Sequence, residues 1–112
     1  MNRALISIFL VALFSAPVAN AAPTGAELLK VCESALKSNF RGLRGKMCTW
    51  YVTPCDCDST PGLPRVCLTE PIEPPKLAAT VTEVLKAIPE FQLKGAEEAV
   101  ALILSEVYPC ER

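Results

Sequence analysis

The 112-residue chain has no histidine, which removes the imidazole that Ser-His-Asp triads, Cys-His dyads and His-ligated zinc sites require. It has no excess of positive charge: 11 basic residues stand against 12 acidic ones, a balance that leaves no electrostatic footprint for nucleic acid. The apolar run Ala4 to Phe14 is broken only by Ser7 and falls short of the roughly 20 residues a membrane span needs. No stretch of useful length alternates with a strand's two-residue period, and no internal repeat is visible. What is present is 51% apolar residues, 21% charged residues, ten prolines and six cysteines. That composition excludes a disordered or collagen-like chain.

The amino-terminal segment reads as an export signal. Met1-Asn2-Arg3 supplies a positive charge, the apolar run follows, and Ala19-Asn20-Ala21 has the small-x-small form of a cleavage site. A cut after Ala21 is favoured, because cutting one residue later places Pro23 directly after the scissile bond. The alternative is a retained amino-terminal anchor. No cysteine stands at the cut, so the pattern is not that of a lipoprotein. Removal of residues 1–21, with Arg3 as their only charge, takes the net charge from −1 to −2 and leaves residues 22–112 as one small domain. All six cysteines, Cys32, Cys48, Cys55, Cys57, Cys67 and Cys110, lie in that exported part. An even number in a small exported domain indicates disulfides, which make up for a thin core. The periplasm is the expected compartment, with full secretion second.

Four helices are expected. Thr24-Gly25-Ala26-Glu27 forms a capping box that starts the first, whose inner face carries Leu28, Cys32, Ala35 and Leu36. This helix fades at Ser38-Asn39, and the basic stretch Arg41 to Lys46 reads as a solvated loop. Met47 to Val52 reads as a short second helix, or one turn extended from that loop, with Trp50 and Tyr51 as core or dimer contacts. Pro54 to Pro64, with three prolines, a glycine and Asp56 and Asp58, cannot be regular structure. A third helix admits Pro75 in its first turn and carries the clearest apolar stripe in the chain, Leu77, Val81, Val84, Leu85 and Ile88. Pro89 ends it, and the tip Glu90 to Leu93 leads to a fourth helix from about Lys94 to Tyr108 with Ala96, Val100, Ile103 and Val107 facing inward. The expected fold is therefore all-α: a small disulfide-stapled bundle of about four helices with an irregular Pro/Cys-rich loop.

Antiparallel packing of consecutive helices brings the end of one beside the start of the next. On that basis Cys32 pairs with Cys48 and Cys67 with Cys110, while a crossed pairing such as Cys32 with Cys110 remains the rival. Cys55 and Cys57 are left in a C-x-C arrangement beside Asp56 and Asp58. Carboxylates so close raise a thiol's pKa and make it a poor nucleophile, which favours structural bridges over a redox centre. A calcium loop opening at Asp56 fails, because the glycine position holds Pro61 and the twelfth position Cys67. No metal or other cofactor is expected. Glu97 and Glu98 diverge on a helix and form no acid/base pair, so no catalytic residue is expected.

Leu28-Leu29-Lys30-Val31-Cys32, Cys48-Thr49-Trp50-Tyr51-Val52, Cys67-Leu68, the helix end Val84 to Glu90 and the closing Tyr108-Pro109-Cys110 occur in an order that resembles the Rap/Tai family of type VI secretion immunity proteins. The resemblance covers nearly all of the exported part. It differs at Thr53-Pro54 and at the additional Cys55 and Cys57. It implies a small helical periplasmic protein that binds a cognate peptidoglycan amidase and blocks its cleft, often as a dimer. Such an inhibitor needs a rigid scaffold and a projecting patch. The candidate patches are the Pro54 to Pro64 loop, with Asp56, Asp58 and Leu63, and the tip, with Glu90 and with Phe91 as an anchor. The alternative reading is a small periplasmic chaperone or a carrier of apolar ligands. A fatty-acid-sized cavity favours the carrier, and a solid core favours the inhibitor.

Overall fold

The computed structural model describes residues 22–54 and 62–110. They form helices α1 (Gly25–Lys37), α2 (Gly42–Val52), α3 (Pro74–Ala87) and α4 (Ala96–Val107), with a 3-10 turn, Pro89–Leu93, between α3 and α4. The described residues hold no strand, and the all-α bundle expected from the sequence is the fold found.

α1 starts where its capping box places it. The Thr24 backbone N–H donates to Glu27 Oε1 at 2.8 Å, and the Glu27 N–H donates to Thr24 Oγ1 at 3.3 Å. Two helix-end donors are thereby satisfied. The same segment caps α4: the Ala96 N–H donates to the Pro23 carbonyl and the Gly25 N–H to the Lys94 carbonyl, both at 2.8 Å, around an isolated bridge between Thr24 and Gly95. α1 packs against every other helix and against the 3-10 turn. It buries Leu28, Cys32 and Ala35, while Leu36 is only half-buried.

α2 begins five residues earlier than Met47, inside the basic stretch that the sequence presents as a loop. Two facts make its start unreadable from periodicity. Gly42 and Gly45 are poor helix formers, and apolar residues occupy both of its faces. Two residues of the turn before it hold positive φ, Asn39 at 56° and Phe40 at 62°, as does its first residue, Gly42, at 75°. For a bulky side chain such as phenylalanine this conformation is rare. Phe40 packs against the core and its N–H donates to the Ala35 carbonyl at 2.7 Å, which holds the turn. Gly45 meets this turn, and a Cβ there would stand 2.2 Å from the Phe40 carbonyl oxygen.

α3 carries Pro74 and Pro75 in its first turn and buries Leu77, Ala78, Val81, Thr82 and Leu85. Ile88, expected on its stripe, leaves the helical path as the cap residue at ψ 87° and is exposed. The 3-10 turn is fastened to α3 by Gln92, whose Nε2 donates to the Leu85 carbonyl at 2.8 Å. α4 buries Ala96, Ala99, Val100, Ile103 and Leu104. Val107 lies on the same face but in the last turn, where it is exposed.

Both expected disulfides form. Cys32 and Cys48, with Cα atoms 5.1 Å apart, join the middle turns of α1 and α2, and both are fully buried. They meet because the helices pack together there, rather than at a helix end and a helix start. Cys67 and Cys110, with Cα atoms 4.9 Å apart, tie the segment before α3 to the chain after α4. The Cys67 N–H donates to the Tyr108 carbonyl at 3.0 Å beside this bridge. Cys55 and Cys57 lie outside the described residues.

Candidate functional site

A helix built into a bundle turns one face to the core, and its outer face is normally polar. α2 breaks this rule. Gly45, Cys48 and Val52 are buried. Leu43, Met47 and Trp50, spaced four and three residues apart, fall on the opposite side of a 3.6-residue helix. Leu43 and Trp50 are each 71% exposed and Met47 38%. The Trp50 ring meets Tyr51 edge to face, with centroids 5.0 Å apart. Between Trp50, Lys46, Thr49, Gly45 and Phe40 lies a shallow open depression of about 260 Å³.

Positive charge flanks this apolar line at Arg44 and Lys46, with Arg41 at the start of the helix. Arg41, Arg44 and Lys46 are exposed, and α2 contains no acidic residue. Among the described residues none of the three is ion-paired, the salt bridge there being that of Lys86 with Glu33 at 3.0 Å. The Arg44 guanidinium donates to Ser34 Oγ at 3.4 Å. The face is also held rigidly: the Cys32–Cys48 bridge lies behind it, and Gly45 sits against the Phe40 backbone.

The family model of Rap1a immunity proteins matches residues 24–110. This chain belongs to the Rap1a immunity protein family. No curated protein and no solved structure matches it. Membership in an immunity protein family implies binding of a cognate effector, and the exposed α2 face is the largest apolar line the described residues offer to one.

The patches expected from the sequence are placed as follows. Asp56 and Asp58 lie outside the described residues. Leu63 is half-buried in a segment that Cys67 ties to the carboxyl-terminal end of α4. Glu90 and Phe91 stand on the 3-10 turn at the other end of α4. That helix is about 18 Å long, so the segment holding Leu63 and the 3-10 turn belong to opposite ends of α4. Glu90 is exposed, whereas Phe91 is half-buried and packs against the core. The apolar side chain this turn offers to solvent is Leu93, 85% exposed.

Leu43 and Met47 were not candidates on the sequence, and Trp50 was expected in the core or a dimer contact. The helical spacing of the three is hidden while residues 41–46 read as a loop. Extending the helix back to Gly42 exposes the pattern. Among the described residues no group of three acidic or sulfur ligands could hold a metal, and no helix is long and apolar enough to cross a membrane.

Proposed function

We propose that this Rap1a protein is an exported immunity protein that neutralises a peptidoglycan amidase delivered by a type VI secretion system. In this reading residues 1–21 direct it to the periplasm and are removed, and the mature bundle blocks the amidase cleft by occupying it, without turnover of its own. The observation that carries the reading is the family match over residues 24–110. Two structural facts support it. The disulfides are those of an oxidising compartment. The bundle also displays large apolar side chains that a solitary small domain has no reason to expose in line.

The carrier alternative needs an enclosed apolar chamber. The two depressions that stand out among the described residues are open and superficial. The larger, about 610 Å³, lies against α3 and is bordered by Lys76, Glu83 and Lys86. Charged walls of this kind suit water better than an acyl chain.

The test is titration of the purified mature protein into each exported amidase encoded near its gene, with hydrolysis of peptidoglycan as the readout; a neighbourhood that encodes none also refutes the amidase reading. Inhibition saturating at a fixed molar ratio is expected. Unchanged hydrolysis at excess inhibitor refutes the amidase reading.

A further inference from the structure

The outward face of α2 unites three properties that rarely coincide by chance in a small exported domain. Its centre is apolar, with Leu43 and Trp50 each 71% exposed. Its border is cationic, with Arg44 and Lys46 exposed on its two flanks and no carboxylate on the helix. Its backing is fixed by the Cys32–Cys48 bridge and by the contact of Gly45 with the Phe40 carbonyl. A preformed helix face loses little conformational entropy on docking, which converts more of its contact energy into affinity.

We infer that this face docks the effector, and that the effector meets it with an apolar patch rimmed by carboxylates. The inference rests on the immunity reading and adds to it the surface and the chemistry of the partner. Trp50 is the central anchor, since tryptophan and arginine dominate interface energetics and the open depression beside the ring gives a partner side chain somewhere to sit. Three side chains do not by themselves supply the ~800 Å² that a stable partner surface buries. The cationic border extends the contact and steers the approach of an acidic partner.

Charge decides against a second copy as occupant. A two-fold dimer places the same patch on both sides. Such a dimer would crowd the Arg44 and Lys46 cations of both copies around one desolvated surface, with no carboxylate on either helix to separate them. An anionic bilayer also attracts cations and tryptophan, but an interfacial helix sinks its apolar face ~5–10 Å into the lipid boundary. α2 is joined along its middle to α1 and presents only two turns of apolar side chains.

Trp50 is the sole tryptophan of the chain, so a protein labelled with 5-fluorotryptophan reports from the centre of the patch alone. Its fluorine resonance is followed while each exported amidase encoded near the gene is added, with calorimetry in parallel. The expected result is a shifted or broadened resonance at the calorimetric stoichiometry. Trp50→Ala should weaken the Kd by roughly 30-fold. Arg44→Glu with Lys46→Glu should slow association about ten-fold at low salt and flatten its salt dependence. Melting curves confirm that the variants fold, and Val107→Ser, exposed in the last turn of α4 and outside every proposed patch, should bind within three-fold of wild type.

Wild-type binding with an unchanged resonance, or with Trp50→Ala and Leu43→Glu still within three-fold, overturns the surface assignment and leaves the immunity reading standing. Absence of any binding by the wild type overturns both. A resonance that responds to phosphatidylglycerol vesicles and not to the amidase assigns the face to a membrane. Self-association that Trp50→Ala abolishes assigns it to a second copy. Either of these outcomes refutes the inference.

Discussion

Replacing Gly45 by alanine sets two effects of opposite sign against each other. On helix propensity alone the substitution in α2 is favourable by about 1 kcal/mol, because alanine loses less backbone entropy on folding. The tertiary structure reverses this. The added Cβ would stand 2.2 Å from the Phe40 carbonyl oxygen, 2.3 Å from its carbon and 2.7 Å from its Cα. Real Cβ atoms do not approach so closely, and the obstacle is backbone rather than the end of a mobile side chain. That backbone is the turn at which Phe40 holds φ 62°, and the Cys32–Cys48 bridge holds α2 close to α1 on the same side. Relief therefore requires α2 to tilt away from α1. Overpacking of this kind costs about 1–3 kcal/mol or more, and the rigid obstacle puts Gly45→Ala at the upper end. The net expectation is a loss of about 2 kcal/mol. In a domain of this size that corresponds to a fall in Tm of roughly 8–16 °C. Urea unfolding of the oxidised protein, with thermal melting in parallel, measures it. Gly42→Ala is the internal comparison: nothing lies within 4 Å of its added Cβ, so it bears only the ~1–2 kcal/mol of a left-handed backbone at φ 75°. A Gly45→Ala protein with a raised melting point would refute the close passage of α2 over the Phe40 turn. The outward orientation of Leu43, Met47 and Trp50 would fall with it.

Four further outcomes follow from the same structure. In the chain-entropy model the bridges, with sequence separations of 16 and 43, stabilise by about 3 and about 4 kcal/mol. Cys32→Ala/Cys48→Ala should exceed its figure, because both side chains are fully buried and leave a void; denaturant titration of each double variant checks this. Thr24→Ala removes the cap that receives the Glu27 N–H at 3.3 Å and should lower stability by about 1 kcal/mol, read from the same titration. Leu104→Ala, fully buried, should lose about 2–5 kcal/mol, whereas Trp50→Ala should stay within about 0.5 kcal/mol of wild type in unfolding experiments. Mass spectrometry of protein recovered from the periplasm should show a chain beginning at Ala22; a retained leader would refute the cleavage proposed after Ala21.

Signals that act over one or two turns were legible in the residues. The Thr24–Glu27 capping box, the prolines opening α3 and the Leu77–Val81–Leu85 stripe each report a local physical requirement, and α1 and α3 stand where those requirements place them. The pairing of Cys32 with Cys48 and of Cys67 with Cys110 was legible too, although for the first the reason needed adjustment: these cysteines join the middles of two helices rather than an end and a start. Positions at helix ends were less secure. Ile88 and Val107 continue an apolar stripe in the sequence, but Ile88 leaves the helical path as the cap of α3 and Val107 is the last residue of α4, and both are exposed.

The composition, the cysteine count and these local codes determined by themselves that the chain is a small stapled α-helical domain, because capping and periodicity act within a single helix. Which way α2 faces was settled only in three dimensions. Cys48 and Val52 on one side, and Leu43, Met47 and Trp50 on the other, are all apolar, so hydrophobic contrast cannot choose between them. The choice falls to the Cys32–Cys48 bridge, the Phe40 turn and the missing side chain of Gly45, which let only the small face approach α1. The larger apolar face is left at the surface.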